Sequence, residues 1–315
     1  MKNQMARMAV IGTGGWGKNH LRVLYEIGAL VAFCDVDQAR VEEYEKKYGV
    51  KGYNSPDALL NSERLDGVEI CTPTSTHYSV AEKTISKGVN TFVEKPLTAS
   101  SSEGEKLVAL AAKHKVKLTS GYIERFNPAV TELKNVLRGG SIGEPLLLEF
   151  HRENKWSGRI QDVGIVLDTS VHDIDTARWV FGSEPKMVFA RTGQVLSNHE
   201  DFATIILGFD KQKTAFITSN WVTPKRMRQL VTVCTGGVAT VDFVAQSIVI
   251  DDAEGSRSPR HEVQEPLKKE LQSFIECIDK DRQPLVTGQD AVNTTKIAEA
   301  ALVSSQSGSP IYLDI

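Results

Sequence analysis

Met8-Ala9-Val10-Ile11-Gly12-Thr13-Gly14-Gly15-Trp16-Gly17 joins four apolar residues to a glycine-rich turn, and Lys18 to Gly28 continues as a helical pattern. The turn fits G-x-G-x-x-G in the strand–turn–helix setting that gives this motif meaning. Gly12 permits the tight turn, Gly14 lets backbone approach a pyrophosphate, and Gly17 lets helix and strand pack closely. The helix start then offers N–H groups and positive partial charge to phosphates. Asp35 closes the second apolar run, about 20 residues on, where it would accept bonds from ribose hydroxyls. An acid there repels a 2′-phosphate, so NAD is expected over NADP, although Arg40 stands nearby. Gly12, Thr13, Gly14, Gly15, Trp16, Gly17 and Asp35 are the expected cofactor contacts, with Asp37 as the next helix's N-cap.

Outward from this motif the first 120 residues alternate strand and helix. Strands are predicted at 8–11, 30–34, 68–71, 91–93 and 116–119, and helices at 18–28, 37–48, 77–87 and 101–114. Alternation with short loops implies βαβ units and a parallel, doubly wound sheet with right-handed crossovers. After residue 121 the pattern changes. A helix at 126–137 is followed by strand-like runs at 146–152, 186–195, 202–209, 214–221, 230–234, 238–243 and 247–250. A helix at 167–181 is inserted among them, and helices at 266–279 and 290–304 follow. Strands with helices on one face form an α+β layer. The expected domains are 1–121 and 122–315, with Asp210-Lys211 and Gly236-Gly237 as hairpin turns and Asp251 to Pro259 as a mobile loop.

The 315 residues carry a net charge of −3 and are 41% hydrophobic and 24% charged. These values are ordinary for a globular protein and point to neither nucleic acid nor an anionic membrane as partner. Cys34, Cys71, Cys234 and Cys277 are far apart and form no CxxC pair, so they read as free thiols of a reducing compartment. With no signal-like segment and no long apolar run, the chain is expected in the cytoplasm.

Two constellations carry chemistry. In Thr91-Phe92-Val93-Glu94-Lys95-Pro96 a strand ends at Lys95, and ligands meet the carboxyl ends of parallel strands. Pro96 biases Lys95 away from helical geometry. The plain alternative is a solvated lysine paired with Glu94. The second is Asp168-Thr169-Ser170-Val171-His172-Asp173-Ile174-Asp175. Asp168, His172, Asp175 and Trp179 form a stripe beside the apolar one of Leu167, Val171, Ile174, Ala177 and Phe181. Asp168 and His172, at i and i+4, can pair, and a carboxylate beside an imidazole suits a general base. The plain alternative is a helix cap and a core histidine. No metal is expected, since His151, His172 and Asp168 match no zinc spacing.

Together with Cys71-Thr72-Pro73-Thr74-Ser75-Thr76-His77, these motifs resemble the glucose–fructose oxidoreductase/inositol dehydrogenase (Gfo/Idh/MocA) family over nearly the whole chain. The resemblance implies a catalytic Lys95, an Asp168–His172 pair, and cofactor contacts from Thr72, Pro73, His77, Glu94 and Lys95 itself. It also implies a large, mostly antiparallel, open-faced sheet in the second domain that builds homodimers or homotetramers. Gly121-Tyr122-Ile123-Glu124-Arg125-Phe126-Asn127-Pro128-Ala129-Val130 and Arg159-Ile160-Gln161-Asp162-Val163-Gly164 add a narrower resemblance, to dehydrogenases that make a 3-keto sugar nucleotide from UDP-N-acetylglucosamine. On that reading Tyr122, Arg125, Asn127, Arg152, Trp156 and Arg159 bind substrate. The arginines would grip a diphosphate and Trp156 would stack on a base or sugar. One of Lys95 and His172 would take the hydroxyl proton while the other holds the oxygen, the roles being interchangeable at this point. The rivals are an inositol or free-sugar dehydrogenase, an NAD-dependent glycosidase and a non-catalytic dinucleotide sensor.

Overall fold

The computed structural model describes residues 5–156, 158 and 162–315. The chain divides into two compact units. One runs to Tyr122 and adds Leu267–Val292; the other comprises Ile123–Pro266 and Asn293–Ile315.

The first unit is the doubly wound sheet. Its elements are β1 (Met8–Ile11), α1 (Gly17–Glu26), β2 (Leu30–Cys34), α2 (Gln38–Tyr48), β3 (Lys51–Tyr53), α3 (Pro56–Ser62), β4 (Gly67–Ile70), α4 (Thr74–Ser86), β5 (Asn90–Val93), α5 (Ser101–His114) and β6 (Leu118–Ser120). All neighbours in the order β3-β2-β1-β4-β5-β6 are parallel. Strands buried on both faces read as continuous apolar runs, which is why β1, β2 and β5 stand out in the sequence. The strand order reverses between β1 and β4, so the carboxyl ends there open a crevice for ligand. Asp37 caps α2, accepting from the Ala39 N–H at 3.0 Å.

The second unit contains α6 (Pro128–Gly139), β7 (Pro145–Glu153), α7 (Val171–Phe181), β8 (Met187–Gly193), β9 (Phe202–Gly208), β10 (Thr214–Asn220), β11 (Met227–Cys234), β12 (Gly237–Asp242), β13 (Ser247–Asp252) and β14 (Gly255–Arg257). After α8 (Pro266–Asp279) and α9 (Gly288–Ser307), it also takes in β15 (Ile311–Tyr312). Nine strands lie in the order β14-β13-β12-β11-β7-β10-β9-β8-β15. Only β7 and β10 pair in parallel. Alternation sorts the two faces. Ala190, Ile205, Ile217, Phe150, Leu230, Val241 and Ile248 form a continuous cross-strand row, and all are buried. The row on the opposite face, Phe189, Ile206, Phe216, Glu149, Val231, Thr240 and Val249, is only half-buried.

Four departures from the sequence reading have local causes. β3 and α3 are a three-residue edge strand and a seven-residue helix, too short to show periodicity, although Ser55 caps α3 and Pro56 opens it. The segment expected as a loop from Asp251 contains β14, which pairs with β13. β15 is another short edge strand. Finally, a single boundary at residue 121 misses the return of the chain to the first unit. Phe274 packs on Phe92 with ring centroids 5.9 Å apart, and Thr119 Oγ1 donates to the Val286 carbonyl at 2.7 Å.

All four cysteines are free thiols. Burial pushes Cys34 from 9.0 up to about 12, and Cys71 and Cys234 up to about 11. The native state therefore holds these protons to higher pH than the unfolded chain. The associated stability is intact below pH 9.0 and is lost as pH rises through the folded values. Thermal melts taken upward from about pH 8 should fall steeply, and less steeply in Cys34→Ala. A slope unchanged by that substitution would contradict the assignment.

Candidate active site

The glycine turn has the geometry a pyrophosphate needs. Gly12 sits at φ +88°, and a Cβ there would lie 2.8 Å from the Cys71 carbonyl oxygen. A Cβ on Gly17 would lie 1.9 Å from the Gly12 oxygen, so the α1 start and β1 approach as only glycine allows. Gly15 faces open space, and the nearest atom to a Gly14 Cβ is an Arg40 guanidinium nitrogen at 3.6 Å. No side chain caps α1. An uncapped helix start beneath an open glycine surface fits a dinucleotide's phosphates.

Asp35 is buried, and its carboxylate holds the turn in shape. Thr13 donates to Oδ2 from N–H at 2.7 Å and from Oγ1 at 2.8 Å; Oδ1 accepts from Asp37 N–H at 3.0 Å and from Arg40 at 3.4 Å. Burial raises its pKa, but these donors and the Arg40 charge outweigh burial and keep the carboxyl below its ordinary value.

Thr72 and Pro73 lie where β4 gives way to α4, and the Thr72 methyl would be 2.9 Å from a Gly12 Cβ. His77 is placed differently from expectation. It is 1% exposed, and its ring nitrogens contact the carbonyls of Thr72 at 2.9 Å and Pro96 at 2.8 Å. This imidazole pins the Thr72 loop to the Lys95-Pro96 loop, a correction to its reading as a direct cofactor contact.

Glu94 occupies a built seat at the end of β5. Its Oε1 accepts from Trp16 Nε1 at 3.0 Å and pairs with His20 Nε2 at 2.9 Å, while Oε2 accepts from the Lys95 N–H at 3.1 Å. Behind it, a Cβ on Gly121 would come within 2.8 Å of the carboxylate. His20 Nδ1 reaches Glu69 Oε2 at 2.9 Å. Burial works against charge on His20. Cys71, Glu69 and Glu94 outweigh it and hold the imidazole well above 6.5. Burial pushes Glu69 up; Glu94 is also opposed by burial, but the His20 bond and the Lys95 charge bring it down. Neither His20 nor Glu69 was singled out from sequence. The available signal was a glutamate inside the apolar strand Gly67–Ile70.

In the second unit the segment Val166–Ser170 is a π-helical turn leading into α7, with the Val171 N–H bonded to the Val166 carbonyl. Such turns are rare and concentrate at functional sites. Asp168 Oδ2 accepts from Thr169 Oγ1 at 2.8 Å, and the His172 carbonyl accepts from Thr176 Oγ1 at 2.7 Å. Within α7 only His172 and Trp179 escape full burial, and Asp168 is also half-buried. The stripe therefore keeps Asp168 and His172 accessible but loses Asp175, which is buried.

The arginines expected on a diphosphate are committed elsewhere, a second correction. Arg125 forks onto Asp175 at 2.7 and 2.6 Å. Arg152, 1% exposed, reaches Asp173 at 2.7–3.0 Å and Glu124 at 2.9 Å. These forks fix α7, with Arg178 on Glu184 at 2.6 and 2.5 Å as a third. Asn127 is also internal: it caps α6, and its amide donates to Glu124 and to the Phe243 carbonyl. Tyr122 is buried at 1% exposure. Arg159, with Ile160 and Gln161, lies outside the described residues.

Two other donors stand out. Trp156 is half-buried, and its Nε1 has no acceptor among the described residues. Arg228, which the sequence reading passed over, lies opposite Arg152 on β11, and its buried Nε likewise lacks an acceptor. Burial, with Arg152 and Arg226 adding to it, lowers Arg228 to about 10. The basic run Lys225-Arg226-Met227-Arg228 was its only sequence signal. Among the described residues no group of three or more His, Cys, Asp or Glu is placed to hold a metal, and no helix is long and apolar enough to cross a membrane.

Residues 6–122 match the model of the Gfo/Idh/MocA oxidoreductase family with its NAD-binding Rossmann fold, and 130–240 match a C-terminal domain of the same family. The chain is 30% identical to a scyllo-inositol 2-dehydrogenase (NAD(+)) of Bacillus subtilis (strain 168), over all of this chain and 98% of that one. It is also 30% identical to a UDP-N-acetylglucosamine 3-dehydrogenase of Acidithiobacillus ferrooxidans, over 78% of this chain and 76% of that one. A solved structure of GnnA, the UDP-N-acetylglucosamine 3-dehydrogenase of that organism, superposes with a TM-score of 0.89 at 27% identity, covering 96% of this chain and 99% of that one. With its glycine turn fitted to a dinucleotide and both halves matched, the chain is a member of the Gfo/Idh/MocA family of NAD-dependent oxidoreductases that act on CH–OH groups.

Proposed function

We propose that this enzyme oxidises the 3-hydroxyl of UDP-N-acetylglucosamine, or of a related sugar nucleotide, to a 3-keto sugar. The observation that carries the chemistry is the accessible Asp168–His172 stripe on a helix whose other faces are buried and ion-paired. Bound NAD supplies the hydride acceptor. His172, oriented by Asp168, accepts the hydroxyl proton. Lys95, at the end of β5, donates to the hydroxyl oxygen and stabilises its developing negative charge. Glu94 binds the nicotinamide ribose. The three α7 ion pairs keep His172 from drifting, so orientation is set before substrate arrives.

The sugar-nucleotide reading draws on Arg228 and Trp156. A buried guanidinium nitrogen and a buried indole nitrogen, both lacking acceptors among the described residues, favour an anionic partner for the former and an acceptor oxygen of a sugar or base for the latter. Inositol oxidation is the second reading, favoured by the full-length similarity to an inositol dehydrogenase. Turnover at 340 nm with NAD and UDP-N-acetylglucosamine, free N-acetylglucosamine, glucose, scyllo-inositol or myo-inositol separates them. We expect the sugar nucleotide to be preferred. Arg228→Met should raise its KM roughly tenfold or more while leaving free-sugar turnover unaffected, as expected for loss of one charge-assisted bond. Faster turnover of an inositol would overturn the preference, and sugar release without net NADH would point to hydrolysis.

We further propose that the half-buried face of the nine-stranded sheet pairs two copies of the chain, in keeping with Phe189, Ile206, Phe216, Val231 and Val249 in its cross-strand row. The free cysteines suit work in the cytoplasm. Light scattering on a purified sample should give the mass of a dimer or tetramer, and a monomer would contradict this.

A further inference from the structure

We propose that His20 is a positioning residue of the cofactor site: held between Glu69 and Glu94, it fixes where the Glu94 carboxylate faces and ties the glycine turn to the Glu94-Lys95 segment. The inference rests on the reading that Glu94 binds the nicotinamide ribose.

His20 is completely buried, so it cannot touch the cofactor itself. It lies on α1, in the helix that opens from the glycine turn. Its ring packs against Trp16 at 6.4 Å and Phe92 at 5.5 Å between centroids, surroundings that an apolar side chain would fill. Glu69 is buried as well, and its Oε1 accepts no hydrogen bond among the described residues. Ionic clusters of this kind are a poor way to stabilise a core, because apolar replacements of similar volume do as well or better. What the cluster does provide is a fixed carboxylate. Its members Glu69 and His20 are sealed, and only Glu94 opens outward, with its side chain 13% exposed. Three donors and the Gly121 backbone leave that carboxylate one orientation. The charged and titratable groups facing His20 are Glu69 from β4, Cys71 just past it and Glu94 just past β5, with Lys95 beside Glu94. Burial pushes the Cys71 thiol up to about 11, and with a carboxylate oxygen 2.9 Å from each ring nitrogen both nitrogens are placed to donate.

The test measures NAD affinity by calorimetry, with kcat and KM, in the full-length enzyme. Glu94→Ala should weaken NAD binding, which tests the underlying reading by itself. His20→Gln and Gly121→Ala should each weaken it about tenfold or more, with a smaller change in kcat at saturating NAD. Glu69→Gln removes one carboxylate that keeps the ring charged. It should make NAD affinity fall with rising pH between about 6 and 9, where the wild type stays flat. In unmodified enzyme, nitrogen NMR should find both His20 ring nitrogens protonated at neutral pH and their signals moved by NAD. If Glu94→Ala binds NAD normally, the reading of Glu94 is wrong and the proposal falls with it. If Glu94→Ala is weak but His20→Gln and Glu69→Gln match wild type at every pH, the proposal alone is overturned. Should His20→Gln not fold, a neutral His20 ring at pH 7, or signals unmoved by NAD, overturns it.

Discussion

Lys95→Met should lower kcat on the order of 10³-fold, the scale set by loss of one preorganised charge in an enclosed site. Methionine keeps an unbranched stem of similar reach, so packing survives and only the ammonium is lost. NAD affinity should fall far less than kcat, because Glu94 loses the nearby Lys95 charge but keeps its bonds to Trp16 and His20. His172→Asn should give a loss of similar size, roughly 10²- to 10⁴-fold, since the amide cannot take the proton. The ion pairs on Asp173, Asp175 and Arg178 do not involve it, so α7 should remain in place. Turnover within a few-fold of wild type in either variant would remove that residue from the chemistry.

Gly17→Ala should abolish measurable NAD binding and lower the melting temperature. The added methyl would sit 1.9 Å from the Gly12 oxygen and 3.0 Å from the Cys71 Cβ. The clashing oxygen is backbone, so relief requires α1 to move off β1. Overpacking of this kind costs roughly 1–3 kcal/mol, or more where the backbone is the obstacle. The turn that faces the phosphates moves with the helix. Gly15→Ala is the matched control: nothing lies within 4 Å of its Cβ, so its melting temperature should be that of the wild type. Equal melting temperatures for the two variants would contradict the close approach of α1 and β1.

How much of this could be read from the sequence follows from how local each feature is. The glycine turn, Asp35 and Glu94-Lys95 are short segments that each follow directly on a strand, and the structure places them there. β3, α3, β14 and β15 were missed because elements of two to seven residues carry too little pattern. α8 is plainly amphipathic, but periodicity does not say which sheet a helix covers, so its return to the first unit was invisible. Charge misled more than hydrophobicity did. Arg125 and Arg152 read as ligands for a diphosphate because their carboxylates lie 50, 21 and 28 positions away. Arg228 was overlooked because a short basic run at the start of a strand looks like a solvated face. The contacts of His20 span 49 and 74 positions. Only folding reveals which charges are already matched.

The central claim is a hydride taken from one sugar carbon. Incubating the enzyme with NAD and UDP-N-acetylglucosamine deuterated at C3 tests it directly. The account predicts deuterated NADH, a slowed rate relative to unlabelled substrate, and a ketone at C3. Reduced cofactor without deuterium, or a ketone at another carbon, would contradict it.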